Sequence, residues 1–103
     1  MTNERFEEIV VEQLAKCQDL MLVKGKEYSL EPDRLAVFKR AAALQSETMK
    51  QALCGMLAKH IISIYDMCMT DGLFSEARWN EKITDAINYM LLLKAAIKEE
   101  QDG

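Results

Sequence analysis

The sequence predicts an all-α fold: a four-helix bundle-like single domain over residues 1–103 that self-associates. Three observations carry this. Apolar residues recur every three or four positions along most of the chain, which is the period of an amphipathic helix. One Pro and four Gly leave few points at which a helix must stop. Half of the residues are hydrophobic, yet a chain of 103 buries only a modest share of its surface, so apolar area is left for a second copy.

The first helix is expected over 3–23, with Phe6, Val10, Leu14, Cys17 and Met21 inward and Glu7, Glu8, Glu12, Lys16 and Asp19 in water. Asn3 suits the N-cap, and Glu4, Glu7 and Glu8 suit the positive end of the helix. The helix runs out at Lys24-Gly25. From Lys26 to Pro32 the chain is a polar connection whose Pro disfavours helix at Glu31. Lys24, Lys26, Glu27 and Tyr28 form a dense group there: cations that can meet phosphate and a ring on which a base or sugar can rest. The plain alternative is a solvated loop with one anchoring tyrosine.

A second helix over 33–44 starts behind Asp33 and turns Leu35, Phe38 and Ala42 inward. A third, over 46–70 and capped by Ser46, has Met49, Leu53, Met56, Leu57, His60, Ile64 and Met67 on its apolar face. Its Gly55 is a mild cost that allows a close helix approach. The fourth covers 76–100 and is apolar on nearly every side from Met90 to Leu93, which implies burial against a second copy.

The chemical clue lies in Trp79–Leu93. Glu81 and Asp85 fall one turn apart on one helix face and Asn88 follows three residues later, so that they direct oxygens toward one point. Two carboxylates and an amide carbonyl are hard donors suited to Mg²⁺ or Mn²⁺, ions that keep waters and bridge to phosphates. The plain alternative is a pair of solvated acids near a helix start. On the third helix Lys59, Ser63 and Asp66 share a face, which makes Asp66 the expected third metal ligand across the bundle and Lys59 a phosphate contact. His60 stands about 120° from Asp66 and cannot share its ion; it is either a core histidine or a substrate contact.

A net charge of −4 and a pI near 5.0 exclude binding of duplex nucleic acid by charge neutralisation. Cys17, Cys54 and Cys68 are odd in number and sit within apolar helical patterns, so all three are expected to be reduced core residues. No basic-then-apolar leader is present and no apolar run is expected to span a bilayer. The expectation is a cytoplasmic protein with no membrane partner.

The order Lys24 with Glu27-Tyr28-Ser29, Asp33-Arg34-Leu35 with Phe38-Lys39, Lys59-His60, and Glu81 with Asp85-Ala86-Ile87-Asn88-Tyr89 resembles the nucleotide modification associated domain of phage and bacterial proteins. That family is in turn similar to the MazG and dimeric dUTPase group, all-α nucleoside triphosphate pyrophosphohydrolases that form dimers or tetramers and hold Mg²⁺ on acidic residues of two helices. The resemblance implies Glu81 and Asp85 as catalytic metal-holding acids, with nucleotide contacts from Lys24, Glu27, Tyr28, Lys59, His60, Asn88 and Tyr89. Two departures stand out. The group's earlier helix normally carries a Glu-x-x-Glu pair where this chain has only Lys59, His60 and Asp66, and Val37 replaces a frequent asparagine. They imply either a binding-only relative or a site completed by another subunit. The expected function is therefore Mg-dependent binding or pyrophosphate hydrolysis of a nucleoside triphosphate in a homo-oligomer; the alternative is a non-catalytic helical dimerisation module of phage origin.

Overall fold

The structure, a computed structural model, describes residues 1–25 and 32–103, with Lys24 described by its backbone alone. Among the described residues there are four α-helices and no strand, and the chain is all-α. It divides into two compact units, residues 1–30 and 31–103.

In the first unit, α1 (Asn3–Gln18) continues without a break into a π-helical segment, Asp19–Lys24. Thr2 rather than Asn3 caps it: Thr2 is extended, and its hydroxyl accepts from the Arg5 N–H at 3.1 Å. Cys17 is buried, whereas Phe6 and Leu14 of the expected apolar stripe are exposed. Nothing in the sequence DLMLVK marks the change to the wider π pitch.

The second unit comprises α2 (Ala36–Leu44), α3 (Met49–Met69) and α4 (Glu76–Asp102). Helix α2 starts three residues later than expected because Asp33 first makes a turn. Its carboxylate accepts from the Leu35 N–H at 2.9 Å and its carbonyl from the Ala36 N–H at 3.1 Å. The other carboxylate oxygen holds Lys39 Nζ at 2.6 Å, and Lys39 also reaches Glu99 at 2.5 Å, which ties both ends of α2's first turn to the end of α4. The Lys39 hydrogen bond holds the Asp33 carboxyl below the usual carboxylate range, and the hydrogen bonds to Asp33 and Glu99 hold the Lys39 ammonium above its usual value.

The expected cap at Ser46 is replaced by a different device. The Glu47 N–H bonds to the Ala42 carbonyl at 2.9 Å and the Ser46 N–H to Ala43 at 3.2 Å, a Schellman closure of α2 that forces Ser46 to a φ of 54°. Thr48 then caps α3. Its hydroxyl accepts from the Gln51 N–H at 3.2 Å while the Gln51 side chain accepts from the Thr48 N–H at 2.9 Å, a reciprocal capping box.

Helices α3 and α4 pair as an antiparallel hairpin. Lys50 at the start of α3 bridges Glu100 near the end of α4 at 3.0 Å, and further along His60 stacks on Tyr89 with ring centroids 4.8 Å apart. At the corner Ser75 caps α4 through the Arg78 N–H, and Phe74 meets the edge of Trp79 at 5.9 Å. Leu53, fully enclosed at 0% exposure, is the centre of the core, with Ala52, Met67, Ala42, Leu35 and Ala96 also buried. Enclosing a leucine stabilises by roughly 1.5–3 kcal/mol, and the alanines let three helices converge on it.

Two sequence expectations are corrected. Only Cys17 is buried; Cys54 and Cys68 are exposed free thiols because they lie on the side of α3 that faces away from α4. Helix α3 is also, by length and composition alone, long and apolar enough to cross a membrane, with 21 residues and a window of mean hydropathy 1.2 that is 17% buried. It reads as continuously apolar because its inner and its outer face are both apolar, a combination that single-face counting misses.

Candidate functional site

The polar residues of α4 fall on the stripe it turns toward α3. Following the helical period, Glu81, Asp85 and Asn88 lie in line with Leu92 and Ala96, and Ala96 meets the start of α3 beside Met49. Their environments grade along that line. Glu81 is exposed near the open corner of the hairpin, Asp85 is half-buried, and Asn88 is buried at 5% exposure.

Asn88 is the anomaly of the molecule. Among the described residues neither its amide oxygen nor its amide nitrogen has a hydrogen-bond partner, although both are out of contact with solvent. A primary amide can make about four hydrogen bonds, and an orphaned buried one costs roughly 1–3 kcal/mol. Native structures satisfy nearly all such groups, so one left unsatisfied twice over calls for an explanation. The half-buried His60 and Tyr89 rings, one from each helix, are stacked at an interplanar angle of 29°.

Asp85 and Glu81 have no ion-pair partner among the described residues. No group of three or more His, Cys, Asp or Glu is close enough to hold an ion among the described residues, so Asp66, exposed on α3, does not join Glu81 and Asp85. Its helix presents it on the flank, about 120° from the inward His60. Glu81 and Asp85 are two carboxylates one turn apart, a set that would need water and phosphate oxygens to complete an Mg²⁺ shell and is too small for an all-protein cage.

No family model, no curated protein and no solved structure matches this chain. The resemblance to nucleotide modification associated domains therefore rests on its motifs alone.

Of the remaining expected contacts, Lys59 is exposed on α3 and has no carboxylate partner among the described residues. Lys24 is described only by its backbone, and Glu27 and Tyr28 lie outside the described residues. The structure thus brings His60, Asp85, Asn88 and Tyr89 into the hairpin, with Glu81 at its mouth. Sequence reasoning missed Thr84, buried one turn before Asn88; its signal was a second polar residue four positions away on the same face.

Proposed function

We propose that the α3–α4 hairpin binds a phosphorylated nucleoside together with Mg²⁺ or Mn²⁺. The observation that carries this reading is the doubly orphaned amide of Asn88 in line with two unpaired carboxylates. An amide with one acceptor and two donors matches the edge of a base or a sugar hydroxyl, and the His60–Tyr89 stack supplies aromatic surface in the same hairpin. Reaching Asn88 requires local opening of the hairpin. Its orphaned state lowers the cost of that opening, because the closed form forfeits hydrogen bonds that the open form makes.

Glu81 and Asp85 hold the divalent ion, which when bound neutralises phosphate charge. Lys59 supplies the cation for a terminal phosphate. Assaying pyrophosphate release from a panel of nucleoside triphosphates with Mg²⁺ or Mn²⁺ tests for turnover. Calorimetric titration of the same panel tests for binding, and absence of heat and of product in every case refutes the reading.

A second reading, a helical dimerisation module without catalysis, is favoured by a separate observation. Ile61, Ile62, Tyr65 and Met69 on α3 and Met90 and Leu91 on α4 are exposed. Exposed apolar residues concentrated on one helix face, as on α3, mark an interaction site.

A further inference from the structure

Among the described residues two buried side chains are polar, Thr84 at 6% exposure and Asn88 at 5%, and both belong to α4. They stand four positions apart, one turn along the same side of the helix. Glu81 and Asp85 repeat that spacing three residues earlier. Helix α4 thus presents two parallel rows, about 60° apart around its axis and about 4.5 Å apart along it. The rows differ in chemistry and in depth. One is neutral and buried; the other is acidic, with Asp85 half-buried and Glu81 exposed.

A buried threonine alone carries no message, because within a helix its hydroxyl can donate to a carbonyl of the preceding turn. Asn88 gives it one. Both amide atoms of Asn88 lack partners among the described residues, one turn from the Thr84 side chain. A hydroxyl that donates once still has lone pairs with which to accept, so the neutral row offers donors and acceptors together and no charge. Depth then decides which part of a nucleotide each row takes. Drawing a phosphate out of water costs far more than drawing in a neutral base, and Mg²⁺ keeps several of its own waters. The charged part belongs on the open row and the uncharged part on the buried one.

We propose that Thr84 is a specificity-determining residue: with Asn88 it reads the polar edge of the base, while Glu81 and Asp85 keep the metal-bound phosphates at the mouth of the hairpin. This rests on the nucleotide reading and adds to it a direction for the ligand and a residue that selects among bases.

The test compares two probes by calorimetry on the full chain with Mg²⁺: the common ribo- and deoxyribonucleoside triphosphates, and inorganic tripolyphosphate, which has the charge and no base. Thr84→Val removes the hydroxyl and keeps the branched shape. It should raise the Kd of the preferred nucleoside triphosphate about fivefold, as loss of one hydrogen bond does, and flatten the order of the bases. Tripolyphosphate should bind to it as to the parent. Thr84→Ser keeps the hydroxyl and should keep the parent's order of bases, whereas Asp85→Asn should weaken both probes. Thr84→Ala takes the place of Thr84→Val if the valine variant does not fold, with the same outcome expected. An unchanged order and affinity of nucleotides without the hydroxyl, or equal weakening of both probes, overturns the role of Thr84 and leaves the nucleotide site standing. A parent that binds every nucleotide no better than tripolyphosphate overturns the buried position of the base. A parent that binds neither probe overturns this inference and the nucleotide reading together.

Discussion

Replacing Asn88 by leucine, a side chain of nearly the same size, should stabilise the ligand-free protein. Asn88 is 5% exposed and both of its amide atoms lack partners among the described residues, so the folded state bears the desolvation of a primary amide with no hydrogen bond in return. Removing that group recovers roughly 1–3 kcal/mol, and the added apolar burial acts in the same direction. Shape mismatch subtracts from this, since a branched leucine in an amide's place strains a packed interior by about 1 kcal/mol. The net expectation is a gain of about 1–2 kcal/mol, read as a higher denaturant midpoint with an unchanged m-value. The same variant should lose nucleotide binding, because in the proposed complex the amide meets the base or sugar. A loss of 1 kcal/mol or more in Asn88→Leu would mean that the amide is already satisfied in the free protein, and the argument from its orphaned state would fall.

Leu53→Ala should cost about 2–5 kcal/mol in chemical denaturation, the range for a fully enclosed leucine whose neighbours are small and cannot close the gap. Ser46→Gly should raise stability by about 0.5–1 kcal/mol, since glycine relieves the left-handed conformation at φ 54° that serine adopts to close α2. The Asp33 carboxyl is held below its ordinary value of 3.8, so its contribution is fully present above that pH and is lost as pH falls through the lower folded value; urea midpoints should decline there, and less steeply in Lys39→Met. The Lys39 ammonium is held above 10.5, so its contribution persists below that pH and disappears only in stronger alkali.

The helical content was legible because periodicity survives from sequence to structure: Leu35, Ala42, Leu53 and Met67 were placed inward from spacing alone and are buried. The caps were less legible. Ser46 and Thr48 are both good caps by residue type, and what separates them is a capping partner, Gln51 three residues after Thr48, together with the need to close α2 before α3 opens. The cysteines were misassigned for a related reason. Cys54 and Cys68 match an apolar period, but α3 has two apolar faces, and only contact with α4 identifies the one that is covered. Asn88 was legible as a polar residue in an apolar helix; that it is buried without a partner among the described residues was not, because burial depends on how α3 and α4 pack, which spacing along one helix does not give. Asp66 shows the limit of spacing arguments: its position on α3 was correct and its direction relative to α4 was not.

Asp85 is the residue on which the proposed site turns, being half-buried, unpaired among the described residues, and one turn from both Glu81 and Asn88. The most direct test is a thermal melt of the parent and of Asp85→Asn with nucleoside triphosphates, with and without Mg²⁺. The parent should melt higher only when nucleotide and Mg²⁺ are both present, by the amount that ligand linkage requires, whereas Asp85→Asn should melt at or above the free parent and ignore both additions. A variant that keeps the full Mg²⁺-linked nucleotide response, or a parent that shows none across the panel, contradicts the account.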